Sequence, residues 1–204
     1  MKRIILAMSI TALFACGGST NKTDDSKSVT PIFADTTETK YDPAAAKVVY
    51  DKVNFGITKK EYEKLMPNTF NKIGDYEYTF YPEYDENGKL YLLQISTPSV
   101  NAGEIETRLT DYKNNLYKVI SQKYQAPSKD HGNINFFDFK PGYIQWQYEW
   151  NIHTKTIVIG MGENSSQSTY TTQMWIYDKP TFDRIRKQRE EQSNKNTSSD
   201  ADKF

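Results

Sequence analysis

The sequence predicts an α+β fold, an antiparallel meander sheet with helices packed on one face. Three observations carry it. Apolar and polar residues alternate with a period of two near residues 76–81 and again over 143–152. Asn87-Gly88, Pro141-Gly142 and His153-Thr154-Lys155 are tight-turn signals, and strands joined by tight turns pair antiparallel. An apolar stripe at three- and four-residue spacing, from Ile105 to Tyr124, marks a helix that must lie on that sheet.

In chain order, Val48-Val49-Tyr50 with Val53 and Phe55 predicts a short first strand. Thr58 and Glu61 have the spacing of a capping box, Ile57 and Tyr62 flank it at the staple positions, and Pro67 stops the helix. Tyr76, Tyr78 and Phe80 alternate with Glu77, Thr79 and Tyr81, and after the Asn-Gly turn residues 90–95 are apolar and extended, which makes a hairpin. The second helix carries Ile105, Leu109, Tyr112, Leu116, Val119, Ile120 and Tyr124 on one side. It starts after Asn101 or Gly103 and ends by Ala126-Pro127.

Residues 134–139 read as a strand, followed by 143–152. There Ile144, Trp146, Tyr148, Trp150 and Ile152 face one way while Gln145, Gln147, Glu149 and Asn151 face the other. Strands over 156–161 and 170–178 follow, separated by a polar loop at 163–168, and a short basic helix runs over 181–192. The order is β-α-β-β-α-β-β-β-β-α, with helix-then-hairpin occurring twice and the second unit extended.

The chain opens Met1-Lys2-Arg3 and runs uncharged from Ile4 to Ala15. A basic start, an apolar run of about a dozen residues and a small residue at its end form a secretory leader. The run is shorter than the roughly 20 residues a membrane span needs. Leu13-Phe14-Ala15-Cys16-Gly17 resembles the lipobox of bacterial lipoproteins. The resemblance implies that the leader is cut before Cys16, that its sulfur carries a diacylglycerol and that the new amino group is acylated. Two or more acyl chains anchor a protein stably, each buried methylene contributing ~0.8 kcal/mol. Cys16 is the only cysteine, so once it is lipidated no thiol remains for disulfides, zinc or catalysis.

The domain organisation follows. Residues 1–15 are the leader, and 16–46 are the lipidated cysteine and a flexible polar tether. About thirty such residues reach roughly 30 Å end to end. Residues 47–192 are a single α+β domain by length, and 193–204 a polar disordered tail. Gly17, where an Asp would resemble the inner-membrane retention signal of enteric bacteria, points to the outer membrane. Lys22-Thr23-Asp24-Asp25 resembles the surface-export signal of Bacteroidetes lipoproteins, and Asp35-Thr36-Thr37 fits the O-glycosylation motif of that phylum. Lys+Arg 26 against Asp+Glu 26 leaves no net field for nucleic acid.

Residues 55–65, "FGITKKEYEKL", followed by an aromatic hairpin, are similar to the opening of small outer-membrane lipoproteins of the BamE/SmpA type. The doubled helix-and-strands order resembles β-lactamase-inhibitor-protein-like domains. Both resemblances imply a protein-binding or envelope-assembly role without catalysis.

The sequence singles out no catalytic, cofactor-binding or metal-ligating residue. Gly160-Met161-Gly162 follows a strand, but no helix N-terminus stands behind it to hold a phosphate, so it reads as a hairpin end. His131 and His153 sit in polar turns without further ligands at metal spacing. The serines of 163–168 lack a nucleophile-elbow pattern. Asp138 and Glu149 are the acids a glycosidase pair would draw on. Aromatic rings crowd the last strands; Trp146, Tyr148 and Trp150 are assigned to the core under the second helix. Tyr143 and Tyr177, of opposite parity, are the candidate interface residues. Arg184, Arg186, Lys187 and Arg189 form a basic patch offset by Glu190 and Glu191, open to solvent or anionic headgroups.

The expected function is a lipid-anchored cell-envelope protein, held to the membrane through acyl chains on Cys16. Its domain binds a protein or small ligand without cofactor, metal or nucleic acid. The alternative is a hydrolase acting on envelope or dietary glycans.

Overall fold

A computed structural model describes residues 42–165 and 168–201; the leader, Cys16 and most of the tether lie outside the described residues. The chain builds α1 (Pro43–Lys47), β1 (Val48–Tyr50), β2 (Val53–Asn54), α2 (Lys59–Leu65), β3 (Phe70–Ile73), β4 (Tyr76–Tyr84), β5 (Leu90–Ser96) and β6 (Val100–Asn101). It continues with α3 (Thr110–Tyr124), β7 (Lys129–Asp130), β8 (Ile144–Ile152), β9 (Lys155–Glu163), β10 (Thr169–Asp178) and α4 (Lys179–Ala201). This is the α+β fold with an antiparallel meander sheet.

The sheet order is β3-β4-β5-β10-β9-β8-β7, with β6 also paired to β10. Every pairing is antiparallel. One meander, β3 to β5, follows α2; a second, β7 to β10, follows α3. Their last strands, β5 and β10, pair at the centre. β1 and β2 form a separate ribbon.

The capping box at α2 is complete. The Thr58 amide donates to Glu61 Oε2 at 2.7 Å and the Glu61 amide to Thr58 Oγ1 at 3.3 Å. α3 is entered through a 3-10 turn, Ala102–Glu104, and a π turn, Ile105–Leu109. It stops at Gln125, whose φ of 64° places it in the left-handed region. The stripe Ile105, Leu109, Tyr112, Leu116, Ile120, Tyr124 is buried. Leu116, Ile120 and Tyr124 join Tyr62, Tyr78, Phe80, Leu93, Ile95, Trp150 and Ile157 in the main core on one face of the sheet.

Two polar contacts lock that core. Asn115 donates from Nδ2 to the Ile73 carbonyl and the Tyr78 hydroxyl, both at 2.8 Å, and accepts from the Asp75 amide at 3.2 Å. The helix thereby clamps the β3–β4 turn, where Gly74 has a φ of +59° and a Cβ would sit 2.3 Å from Asn115 Oδ1. Lys155, 1% exposed, donates to the Val48 carbonyl at 3.0 Å, to the Ala45 carbonyl and to the Tyr124 hydroxyl at 2.9 Å. That latches α1 and β1 onto β9.

Several local readings change. Residues 134–139 are not a strand. They form a loop with a 3-10 turn at Phe136–Asp138, because Asn135 accepts from the Phe137 amide (3.2 Å) and donates to Asp138 Oδ2 (2.8 Å). β3 and β7 are strands too short to show a period in sequence. The described fold begins at α1, before residue 47.

α4 continues past Gln192 to Ala201, with no Gly or Pro after Pro180 to stop it. Its Phe182 and Ile185 pack on Tyr91, Leu92, Trp175 and Tyr177. Leu92, Trp175 and Tyr177 alternate with the core residues Leu93, Met174 and Ile176, so α4 lies on the face opposite α3, whereas α2 and α3 share the core face.

Candidate functional site

The face of the sheet away from α3 is covered only where α4 begins. It carries Tyr81 of β4, Gln94 and Ser96 of β5, Thr171, Gln173 and Trp175 of β10, and Val158 of β9, residues matched by the strand register.

β8 is where expectation and structure diverge. Tyr148 lies opposite Ile159 and Trp150 opposite Ile157, on the core side, and Tyr117 of α3 stacks against both rings at 4.5 and 6.0 Å. A bulge between Trp146 and Tyr148 adds a residue, so Trp146 lies opposite Gly160 and on the outer face. The assignment of Trp146 to the core is therefore corrected. Gln147, the extra residue, is buried and accepts from Lys113 Nζ of α3 at 2.9 Å. Trp146 instead meets Trp175 edge to face, ring centres 5.0 Å apart.

The glycines explain how β8 reaches this position. A Cβ on Gly160 would stand 2.3 Å from the Gln145 carbonyl oxygen, and one on Gly162 2.1 Å from that of Tyr143. The start of β8 thus rides over the outer face of β9, which only residues without a side chain allow. Gly160-Met161-Gly162 lies within β9 rather than at a hairpin end, and its glycines serve backbone approach.

Three adjoining depressions of about 390, 430 and 510 Å3 cross this face. The first and second share Gln94, Asn164 and Gln173; the second and third share Tyr143, Trp146 and Trp175. Trp175 Nε1 donates to Gln173 Oε1 at 3.0 Å, fixing the indole. Gln94 Nε2 donates to Glu83 Oε1. Asn164 is held by Ser99 Oγ (3.0 Å) and Thr169 Oγ1 (2.9 Å).

At the third depression stand the charges. Glu149 accepts from Lys129 Nζ at 3.1 Å and from Asn151 Nδ2 at 2.7 Å, and His131 Nε2 lies 3.8 Å from its other oxygen. Burial pushes the Glu149 carboxyl up, but the hydrogen bonds from Asn151 and Lys129 outweigh it and hold the group below its ordinary value.

Tyr143 is 61% exposed and borders two of these depressions. Tyr177 is half-buried, its ring 4.3 Å from Phe182 of α4, and burial pushes its phenol up. Asp138 lies in a neighbouring depression beside Phe137, not in the one holding Glu149. His153 occupies a left-handed turn position, φ 53°.

Each cation of the basic patch has an acidic neighbour. Arg184 pairs with Glu86, Arg189 with Glu83 at 3.4 Å, Arg186 with Asp183 at 3.5 Å and Lys187 with Glu191 at 3.9 Å. Arg184 and Arg189 thereby tie α4 to the β4–β5 hairpin. Among the described residues no cluster of three or more His, Cys, Asp or Glu is placed to hold a metal, and no helix is long and apolar enough to cross a membrane.

Sequence reasoning missed Trp146, Gln94 and Gln173 as members of this face. The available signal was the pair of glycines in β9, since glycine inside a strand marks a bulge or a close approach. Comparison of the chain with known protein families, curated proteins and solved structures finds no match.

Proposed function

We propose that this chain is a lipid-anchored protein of the bacterial cell envelope, held at the outer membrane through acyl chains on Cys16. Its domain binds a partner on the open face of the sheet, without catalysis. One observation carries the binding role. Trp146, Trp175, Tyr143 and Tyr81 are gathered with Gln94 and Gln173 on a face that neither α3 nor the core uses. Exposed and half-buried aromatic rings beside amides that each keep one polar group unused are what a recognition surface needs. The lipobox at residues 13–17 supports the location, and the tether would let the domain stand clear of the bilayer. A glycan hydrolase finds less support, because Asp138 and Glu149 line different depressions.

Three measurements test the reading. Mass spectrometry of the native protein should find a mature terminus at Cys16 with fatty acids attached, and Cys16→Ser should leave the membrane pellet. An intact leader refutes the anchor. Fractions of an extract from cells that express the protein should shift the tryptophan emission of the wild type and leave a Tyr143→Ala, Trp146→Ala double variant unchanged. If no fraction discriminates the two, the binding face is refuted.

A further inference from the structure

We propose that the partner on this face is a neutral oligosaccharide, lying across the strands from Tyr81 to Trp146. The inference rests on the binding reading and names the ligand class of that same surface.

The first support is charge. The depression around Tyr81, Ser96, Asn164, Thr171 and Gln173 has no acidic or basic side chain in its lining, and the middle one has a single acid, Glu163. A polyanion finds no cation there, and Glu163 repels it. A polyol presents hydroxyls that both donate and accept, and amides and hydroxyls match that in kind.

The second support is the state of the two glutamines. An indole N–H only donates, so Gln173 must offer its oxygen to Trp175; a carboxylate only accepts, so Gln94 must offer its nitrogen to Glu83. The orientation of both amides is therefore set by chemistry. What remains is the Gln173 amide nitrogen and the Gln94 carbonyl oxygen, neither of which has a hydrogen-bond partner among the described residues. These are one donor and one acceptor on the adjacent strands β10 and β5, where Gln94 lies opposite Trp175. Neighbouring sugar hydroxyls, one accepting and one donating, complete such a pair.

The third support is the rings. The negative face of an indole or phenol attracts polarised C–H groups, which a pyranose carries on its apolar side. Trp175 is held by its N–H bond and by Phe182, and so stacks with little loss of freedom. Tyr81 at the opposite end is 51% exposed. From β4 to β8 is four strand spacings, roughly 19 Å at about 4.8 Å each. That is a length for several sugar units, with rings at both ends and amides between. A peptide adding as a strand needs a sheet edge with free backbone groups, whereas this face offers side chains from the sheet interior.

The test uses the full-length lipoprotein in a detergent without a sugar headgroup. The probes are cellohexaose, maltohexaose, xylohexaose and mannohexaose, with oligogalacturonate, a DNA oligonucleotide and an extended peptide as comparators. Calorimetry and tryptophan emission should show at least one neutral hexasaccharide binding, with the charged and peptide probes not binding. Tyr143→Ala should weaken that binding about tenfold with an unchanged melting temperature. Gln173→Ala should weaken it by at least as much, and Tyr143→Phe should retain it. No binding by any neutral probe, preferential binding of a comparator, or wild-type affinity in both alanine variants overturns the inference. A cell-extract fraction that discriminates the Tyr143→Ala, Trp146→Ala variant while all four hexasaccharides fail would overturn the ligand class and leave the binding face standing.

Discussion

Gly160→Ala probes the feature that forms the outer face. The added methyl would lie 2.3 Å from the Gln145 carbonyl oxygen and 2.9 Å from both the Gln145 carbonyl carbon and Trp146 Cα. A touching carbon and oxygen sit near ~3.3 Å, so the overlap is about 1 Å. All three opposing atoms are main chain, and no rotamer change relieves them. Overpacking of this kind costs about 1–3 kcal/mol, and a backbone obstacle puts Gly160→Ala at the upper end, about 3 kcal/mol. At roughly 2–4 °C per kcal/mol for a domain of this size, the melting temperature should fall by roughly 6–12 °C. Gly103→Ala is the control. Its Cβ meets nothing within 4 Å and its φ is ordinary, so it should stay within about 0.5 kcal/mol of wild type. Circular dichroism melts read the stability, and tryptophan emission reads the displaced Trp146. If Gly160→Ala melts with Gly103→Ala and keeps the wild-type emission, β8 does not ride over β9 and the outer face described above is wrong.

Four further outcomes follow from other contacts. Asn115→Leu strips partners from the Ile73 carbonyl, the Tyr78 hydroxyl and the Asp75 amide, and should cost about 3 kcal/mol in urea unfolding; an unchanged midpoint refutes the clamp. Tyr84→Phe should leave the melting temperature unchanged or raise it, because the buried Tyr84 hydroxyl has no partner among the described residues; a clear drop refutes this. Lys155→Met should abolish hydrogen-exchange protection in α1 and β1 while the β9–β10 pairing stays protected, and uniform exchange would refute the latch. Burial pushes Tyr62 and Tyr91 up to about 12 and Tyr78 higher still. Above pH 10 the unfolded chain then loses protons that the folded one keeps, so their stabilisation is constant below pH 10 and lost as pH rises toward 12. Burial pushes Lys113 and Lys155 down, which works in the opposite direction with two groups against these three tyrosines. Unfolding midpoints flat across pH 10 to 12 would contradict the tyrosine burial.

Much of the fold was legible because its longest elements repeat one local rule. α3 shows its stripe from Ile105 to Tyr124, and each of those apolar side chains except Val119 is buried. The β4–β5 hairpin declares itself through Asn87-Gly88, with Gly88 at a φ of +69°. The bulge in β8 was not legible, because alternation in the sequence continues unbroken through Trp146, Gln147 and Tyr148 while the backbone skips a step. A one-residue offset moves every side chain beyond it to the other face. So Tyr148 and Trp150 were placed correctly by parity and Trp146 was not. The phenylalanines of residues 134–139 looked like a strand by composition, yet Asn135 offers the backbone a local partner that a strand cannot match. Phe137 ends 97% exposed. Parity places Tyr177 on the outer side, but it set Tyr143 opposite Trp146, and the two border the same depressions because Tyr143 precedes β8 and the bulge brings Trp146 across. Gln94 and Gln173 were not reachable from sequence, since a glutamine on a wet face looks alike whether or not its amide is spent.

The two faces of the sheet answer to different demands. On the α3 side, burial accounts for each residue: Ile95, Leu116, Ile152 and Ile159 are inaccessible, and the polar Asn115 and Lys155 have their bonds made within the protein. Solubility would be enough for the other side, and Lys, Glu and Thr supply it at least cost. Instead the chain sets two tryptophans edge to face, spends an amide on holding one of them, and admits glycines in β9 so that β8 can bring up the other. Gly in a strand interior weakens the strand, and exposed aromatic rings invite association. α4 could have covered this area, yet it packs on Tyr91, Leu92, Tyr177 and, through Phe182, on one side of Trp175, and ties itself by Arg184 and Arg189 to the β4–β5 hairpin. A surface that costs stability to form, and that the protein's own helix leaves partly open, is what the binding role we propose would require, and neither folding nor solubility asks for it.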